Sequence, residues 1–181
     1  DLPKLYVGSF GTLGIIVEAT VKLRPRPDED RLWLACFERL KECGQALRLV
    51  LTSDLIPSAV DLLDGEALRG LGLAPGVEAE GALLLGFDGM REQVAWQCEE
   101  AGRLLAGAGL VASRVLEGGP REQTWRLVRE VGRRVFAEPA AELRLAVLPT
   151  QVPEVMERAS AVAQRQGLKA AFAAHAAVGS V

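Results

Sequence analysis

The sequence predicts an α+β fold with one open, largely antiparallel sheet and helices stacked on one face of it. Two observations lead to this prediction. Segments with the two-residue period of strands alternate with segments of helical spacing, and no strand is followed by the glycine loop of a dinucleotide-binding parallel sheet. The chain has 181 residues, of which 49% are hydrophobic and 25% are charged. We therefore expect one main domain with one substantial core.

The first predicted strand follows a glycine-rich stretch near the start of the chain. Residues 8–14 have the sequence GSFGTLG, with a glycine at every third position. From residue 15 to residue 23 apolar and polar residues alternate, which is typical of a strand with one buried face. Pro25 and Pro27 then end the strand, because proline cannot donate to a ladder. A domain boundary is expected there.

Beyond residue 30 the pattern alternates between strands and helices. Strands are predicted at residues 31–37, 58–63, 81–87, 110–116, 142–148 and 169–178. Helices are predicted at residues 40–53, 90–108, 120–135 and 153–167, and a loop at residues 65–80. Pro120 and Pro153 fit the first turns of their helices. Short strands in strand–helix–strand units of this kind are typical of ferredoxin-like α+β domains.

The glycine spacing of residues 8–14 fits neither common nucleotide motif. The dinucleotide fingerprint requires G-x-G-x-x-G after a strand and before a helix, whereas a strand follows the glycines here. A Walker loop requires Gly-Lys followed by Ser or Thr, a sequence that this chain does not contain. Glycines permit tight turns and also close approach of a ligand to the backbone. The spacing alone leaves open both a plain turn and a loop that contacts a cofactor.

The whole run DLPKLYVGSFGTLGIIVEATVKLRPRP resembles the last segment of the flavin-binding domain in FAD-linked oxidases of the vanillyl-alcohol-oxidase type. Such domains commonly close with an Asp-Leu pair, a Gly-Ser-x-Gly-Thr-Leu-Gly-Ile-Ile/Val loop, a Glu two residues on, and a strand that runs into prolines. The residues that match are Asp1, Leu2, Gly8, Ser9, Gly11, Thr12, Leu13, Gly14, Ile15, Ile16 and Glu18. Within the family, Phe10 and the double Arg-Pro ending are most similar to the E subunit of bacterial glycolate oxidase.

The resemblance implies a cofactor and a division of the chain. It implies that FAD contacts Gly8, Ser9, Gly11, Thr12, Leu13, Gly14, Ile15 and Ile16 in the complete protein. Residues 1–28 would be the end of the FAD-binding domain, so the first predicted strand would be its terminal strand. Residues 29–181 would be the cap or substrate domain, truncated at its C-terminus. The pyrophosphate-binding turn of the family has no counterpart here, so we expect a fragment that is inactive and binds no FAD alone.

His175 is the single histidine of the chain. Many relatives have a His-Ala-Gly-Asp-Gly-Asn-Leu-His stretch near this position, whose outer histidines can serve a metal or substrate site. The sequence from His175 onward lacks the Asp, the Asn and the second His of that pattern. A metal site needs several converging ligands. We expect a structural or substrate-pocket residue without metal; a direct catalytic or metal-binding role is the alternative.

No other catalytic or metal-binding residue is assigned from the sequence. Four arginines recur at helical spacing and could bind a carboxylate substrate; they are Arg126, Arg129, Arg133 and Arg134. A solvated helix face, with Glu122 and Glu130 as partners of Arg126 and Arg134, is the simpler interpretation. The three cysteines, Cys36, Cys43 and Cys98, form no C-x-x-C pair, and we interpret them as buried free thiols.

The function favoured by these observations is part of an FAD-dependent 2-hydroxy-acid oxidase or dehydrogenase of the glycolate type. The resemblance implies other subunits of such a complex as partners, including an iron–sulfur subunit. It also implies a cytoplasmic location, with peripheral attachment to the membrane through partner subunits. The net charge of −3 does not favour nucleic-acid binding, which requires an excess of positive charge. The alternative is a non-catalytic α+β binding or assembly domain. Exposed ladder groups in residues 1–27 would also favour self-association.

Overall fold

The computed structural model describes residues 2–23, 25–74, 76 and 78–181. The strands are β1 (Glu29–Phe37), β2 (Ala59–Asp64), β3 (Gly81–Gly89), β4 (Leu110–Leu116) and β5 (Ala173–His175). The helices are α1 (Leu2–Tyr6), α2 (Leu40–Leu51), α3 (Gly65–Gly70), α4 (Arg91–Leu105), α5 (Gly118–Arg129), α6 (Val131–Arg134) and α7 (Val152–Arg165). Short 3₁₀ helices occupy Pro149–Gln151 and Ala176–Val178. Among the described residues no helix is both long and apolar enough to cross a bilayer.

The five strands form one sheet in the order β4-β1-β3-β2-β5. Each neighbouring pair is antiparallel. The first four strands, with α2 and α4 as connections, have the β-α-β-β-α-β order of a ferredoxin-like unit, and β5 extends the sheet beside β2. The predicted α+β class with an open antiparallel sheet is therefore confirmed.

Helices cover both faces of the sheet, so the prediction that they lie on one face was wrong. On one face, α2, α4 and α7 pack over Trp33, Ala35 and Phe37. On the other face, α3, α5 and α6 pack over Leu32, Leu34 and Cys36. The physical reason is visible in β1 and β3, whose apolar residues run consecutively rather than in alternation. A strand of that kind must be buried on both sides.

Most predicted elements in residues 29–141 are confirmed to within a few residues, and the main omission is α3. The stretch predicted as a loop at residues 65–80 begins with this helix. Asp64 ends β2 and its carboxylate accepts a hydrogen bond from the Ala67 N–H, so the residue caps α3. An aspartate at a strand end followed by Gly-Glu-Ala-Leu is a helix-start signal. Residues 75 and 77 of the predicted loop lie outside the described part.

The last two predicted strands are much shorter than expected. Residues 142–148 contain an isolated bridge at Ala146, which pairs with Ser180. Residues 169–178 contain only β5 and a 3₁₀ helix. Gly179 turns the chain at φ 74°, so the residues after β5 reverse direction and bridge back to His175 instead of extending the strand. A positive φ is accessible to glycine at little cost.

The strand predicted at residues 15–23 is not formed in the described chain. These residues have no ladder partner and are exposed; Val17 is 93% exposed. An alternating pattern yields a strand only where another strand supplies hydrogen bonds, and the described sheet ends at β4 and β5. Asp1 and Arg24, which belong to the predicted segment, lie outside the described residues. We call residues 2–23 the N-terminal arm.

Candidate functional site

A cavity of about 470 Å³ opens on the sheet face that α5 covers. Its polar lining residues come from four elements and one loop; they are Asp30, Ser58, Asp61, Arg121, Arg129 and His175. Trp125, Val128, Ala177 and Val178 supply apolar walls. A concave site with apolar walls and a few convergent polar groups is the usual form of a small-molecule site. We therefore regard this cavity as the candidate site.

Gly86 on β3 forms part of the cavity floor. A Cβ added there would lie 3.3 Å from the Trp125 ring and 3.3 Å from the Ala59 Cβ. The missing side chain therefore lets the indole of α5 lie close to the sheet. A larger residue at this position would displace Trp125 and the α5 residues beside it.

His175 and Asp61 face each other across the β2–β5 ladder, where they are register partners. The distance from His175 Nδ1 to Asp61 Oδ1 is 2.5 Å. The Asp61 side chain is only 6% exposed, whereas the His175 side chain is 61% exposed. Burial raises the pKa of the Asp61 carboxyl, and the charge and hydrogen bond of His175 act in the opposite direction. The arrangement is a buried carboxylate that holds an accessible imidazole.

Two arginines of α5 line the cavity, and they differ in whether they form an ion pair. Arg121 forms an ion pair with Asp30 of β1. Burial raises the pKa of Asp30, and the guanidinium of Arg121 opposes that rise. Arg129 also lines the cavity, but it has no ion pair with any described residue. Its guanidinium is thus available for an anionic ligand.

The four arginines singled out in the sequence do not act as one group. Arg134 pairs with Glu130 at 2.7 Å, as expected for a solvated helix face. The expected pairing of Arg126 with Glu122 is absent from the described structure. Of the four, only Arg129 lines the cavity. The solvated-face interpretation is therefore correct for Arg134, and the carboxylate-binding alternative remains open for Arg129.

In the described part of the chain His175 has one neighbouring side chain that could share a metal ion with it. Within the described ranges no three His, Cys, Asp or Glu side chains converge. The sequence offered no second ligand for His175, but the structure places Asp61 beside it. These two side chains hydrogen-bond to each other rather than pointing jointly at a third position. Two ligands are fewer than the three or four protein ligands of a typical zinc site.

All three cysteines are buried and free, as predicted. Burial raises the pKa of Cys36 to about 11 and that of Cys43 well above its usual value. The thiolate is the reactive form of cysteine. These side chains therefore serve as small apolar residues of the core.

The glycine loop at residues 8–16 follows α1 and is almost wholly exposed. Gly8 and Gly11 have φ values of 83° and 77°, and a Cβ added at either would meet no described atom within 4 Å. The Thr12 N–H and hydroxyl both donate to the Ser9 carbonyl, which closes the turn. No residue of the loop lines the cavity. Its eight predicted FAD contacts stay a prediction.

Sequence reasoning identified His175 and, as one alternative, Arg129, but it missed Asp61 and Asp30. A signal for Asp61 did exist, because it is a single acidic residue within the apolar stretch Val60–Leu63. A buried carboxylate in a strand needs a partner. The partner lies 114 residues away in sequence, so only the fold could identify it.

Comparison with known proteins gives one family and several relatives. The profile of the family "FAD linked oxidases, C-terminal domain" matches residues 26–181. Glycolate oxidase subunit GlcD of Escherichia coli K12 is 28% identical over 193 residues, covering 100% of this chain and 38% of that protein. The mitochondrial D-lactate dehydrogenase (cytochrome) of Arabidopsis thaliana is 32% identical over 88 residues, covering 49% of this chain and 16% of that protein.

A solved structure supports the fold. The structure of an alkyldihydroxyacetonephosphate synthase superposes with a TM-score of 0.66 at 17% identity, over 91% of this chain and 36% of that one. This likeness concerns the fold alone. The chain spans well under half the length of the relatives it matches.

Proposed function

The chain belongs to the family of C-terminal domains of FAD-linked oxidases, and we propose that it forms the substrate-binding side of an FAD-dependent enzyme acting on a small 2-hydroxy acid. The observation that carries this proposal is the cavity, which combines the unpaired Arg129 with the Asp61-held His175. Relatives named as glycolate oxidase and D-lactate dehydrogenase support the substrate class. When bound, FAD would accept a hydride from the substrate carbon that bears the hydroxyl.

The carboxylate of such a substrate has a suitable partner in Arg129. A guanidinium can bind a carboxylate through two parallel hydrogen bonds, which fixes orientation as well as charge. Arg121 also lines the cavity, but its guanidinium is engaged by Asp30, so Arg129 is the principal candidate for the substrate carboxylate. The volume of about 470 Å³ lies in the usual range for small-molecule sites.

The N-terminal arm and the residues up to 28 would complete the flavin-binding domain, and residues 29–181 would form the cap. In this proposal Gly8, Ser9, Gly11, Thr12, Leu13, Gly14, Ile15 and Ile16 contact FAD in the full-length protein. The open space at Gly8 and Gly11 supports close approach of a ligand to the loop backbone. An exposed loop supplies too few contacts to order a cofactor of this size. The 181-residue chain by itself should therefore be colourless and inactive.

The proposed partners are other subunits of a glycolate-oxidase-type complex, including an iron–sulfur subunit, because the relative GlcD is named as one subunit of an oxidase. Assignment as an E-type subunit rests on Phe10 and the Arg-Pro ending alone. The match to GlcD covers the entire chain, so we limit the proposal to a subunit of the glycolate oxidase type.

The proposal is tested with Arg129→Gln in the full-length protein, assembled with its partner subunits. Loss of a charge-assisted pair to the substrate carboxylate is worth about 1.5–3 kcal/mol, so KM for glycolate or D-lactate should rise roughly 10- to 150-fold. Arg126→Gln is the matched control, because Arg126 is on the same helix, has no described ion pair and does not line the cavity. Its KM should stay within about twofold of the wild type.

Two outcomes would overturn the proposal. One is a wild-type complex that oxidises no 2-hydroxy acid. The other is an active complex in which Arg129→Gln behaves like Arg126→Gln. An active complex insensitive to both variants would favour the alternative, a non-catalytic assembly domain.

A further inference from the structure

The side of α5 that faces the cavity carries two arginines with an indole between them. Arg121, Trp125 and Arg129 are spaced by four residues along the helix, so they share one side of it, and all three line the cavity. At 1.5 Å per residue the two arginines are about 12 Å apart along the helix axis. The cavity therefore has a basic group at each end of an apolar wall.

Asp30 neutralises one of these two basic groups. Arg121 lies in the first turn of α5 and forms an ion pair with Asp30 near the start of β1. Asp30 also lines the cavity, so its carboxylate lies where the carboxylate of a ligand would have to bind Arg121. Arg129, at the other end, has no carboxylate partner among the described residues. The cavity thus offers an anionic ligand one unpaired guanidinium rather than two.

The apolar wall between the two arginines is fixed by packing on the sheet. A Cβ added at Gly86 of β3 would lie 3.3 Å from the Trp125 ring, so the indole is in close contact with the strand. Val128 of α5 also lines the cavity. A short 2-hydroxy acid bound through its carboxylate to Arg129 would place its remaining carbons against this wall. It would end short of Arg121, because the two arginines are about two helical turns apart.

We propose that Asp30 is a specificity-determining residue that restricts the cavity to 2-hydroxy acids with a single carboxylate. This inference rests on the proposed function. A 2-hydroxy dicarboxylate bound at Arg129 would direct its second carboxylate along the wall toward Arg121. There it would meet the negative charge of Asp30, and charges of like sign repel more strongly where water is partly excluded. Asp30 supplies from within the protein the carboxylate that a dicarboxylic substrate would otherwise bring to Arg121.

Two other acidic side chains are close to this ion pair, but neither belongs to the cavity. Asp88 is opposite Asp30 in the β1–β3 ladder, and Glu122 follows Arg121 on α5. Both are exposed, and neither lines the cavity. Asp30 is therefore the carboxylate that a ligand at Arg121 would contact. Asp88 provides a matched control, because it is an aspartate beside the same position that a ligand would not touch.

The experiment compares D-2-hydroxyglutarate with D-lactate as substrates of the full-length complex. The wild type should prefer D-lactate. In Asp30→Asn the side-chain carbonyl can still accept a hydrogen bond from Arg121, but the negative charge is gone. The ratio of kcat/KM for D-2-hydroxyglutarate to that for D-lactate should rise roughly 10- to 150-fold, because the second carboxylate gains a charge-assisted pair with Arg121. Asp88→Asn should change the ratio by no more than about threefold.

A second substitution tests whether the gain depends on Arg121. Arg121→Gln, added to Asp30→Asn, should remove the gain, because no guanidinium is left at that end of the cavity. A gain that survived Arg121→Gln would overturn the inference. A wild-type complex that preferred D-2-hydroxyglutarate to D-lactate would also overturn it, even if Asp30→Asn did not fold.

Failure of this inference is distinguishable from failure of the proposed function. If Arg129→Gln left KM for D-lactate unchanged, the proposed function would fail, and the inference would fail with it. If Arg129→Gln raised KM as expected but Asp30→Asn left the substrate ratio unchanged, only the inference about Asp30 would be wrong.

Discussion

Asp64 is a buried carboxylate whose single oxygen, Oδ1, serves two separate parts of the chain. It accepts the Ala67 N–H at 2.9 Å, which caps α3, and the Phe172 N–H at 3.0 Å, which ties the segment before β5 to β2. Burial nevertheless raises its pKa from the ordinary 3.8 to about 6, and the two N–H groups offset only part of that rise. The protonated carboxyl can keep both bonds through its carbonyl oxygen.

The raised pKa of Asp64 predicts that the folded state becomes less stable as the pH rises. The folded state binds the Asp64 proton more tightly than the unfolded state, so the resulting stabilisation is complete below pH 3.8 and is lost as pH rises through about 6. A shift of this size corresponds to roughly 3 kcal/mol. The free energy of unfolding, measured with urea between pH 4 and pH 7.5, should therefore fall with rising pH. Asp64→Asn, which keeps an Oδ1 acceptor without the charge, should flatten that fall.

Asp64→Ala separates the hydrogen bonds from the charge. It removes the cap and leaves the Phe172 N–H without a partner, which should cost roughly 1–3 kcal/mol at pH 5. If Asp64→Asn and Asp64→Ala were equally unstable at pH 5, the two N–H contacts would not be the stabilising interaction.

Sequence reasoning at the scale of residues succeeded where one position carried the signal. His175 was singled out as the only histidine of the chain, and the absence of a C-x-x-C pair indicated that the cysteines are free thiols. It failed where a role depends on a distant partner, as for Asp61 with His175 and Asp64 with Phe172, which are 114 and 108 residues apart. The eight predicted FAD contacts depend on atoms outside the described chain and stay a prediction.

Secondary-structure elements were predicted well where their apolar pattern is long and continuous. The segments that became β1, β3 and α4 are of this kind, and their predicted positions agree with the structure. The arm at residues 2–23 has a clear alternating pattern but no partner strand. A pattern specifies which residues can share a face, whereas a strand also requires ladder hydrogen bonds from another segment.

Helices α2 and α7 pack so closely that one glycine decides the contact. A Cβ added at Gly44 of α2 would lie 2.7 Å from the Cβ of Pro153 in the first turn of α7. The proline ring cannot rotate away, so α7 must shift. Overpacking of a core contact lowers the free energy of unfolding by about 1–3 kcal/mol, whereas replacing a helical glycine by alanine raises it by up to about 1 kcal/mol.

We therefore expect Gly44→Ala to destabilise the protein by about 1–2 kcal/mol in urea unfolding. Gly102→Ala is the matched control, because Gly102 is also inside a helix, α4, and a Cβ there would meet no atom within 4 Å. It should stabilise by about 0.5–1 kcal/mol. If Gly44→Ala stabilised the protein as Gly102→Ala should, the α2–α7 contact would not be tight.

At the scale of the whole molecule, two hydrophobic cores share one sheet. Trp33, Ala35 and Phe37 belong to the first core, and Leu32, Leu34 and Cys36 to the second. Unfolding of either core would expose one side of β1 and of β3 beside it. We therefore expect residues 29–181 to unfold in one cooperative thermal transition. Two well-separated transitions by calorimetry would contradict a shared core.

The N-terminal arm contributes almost nothing to those cores, although it is rich in apolar residues. Phe10 is 100% exposed, Val17 is 93% exposed and Ile15 is 88% exposed. Deletion of residues 1–27 should therefore leave the midpoint of thermal unfolding within about 2 °C, which is less than 1 kcal/mol for a chain of this size. If the deletion lowered the midpoint by more than about 5 °C, the arm would have to pack on the domain in solution.

The same deletion should abolish concentration-dependent self-association in sedimentation, because exposed apolar residues with unpaired backbone groups favour pairing between copies. A control chain with Ile15, Val17 and Val21 replaced by Ser keeps the arm's length and should behave like the deletion. If the intact chain stayed monomeric at high concentration, its exposed apolar residues would not drive association.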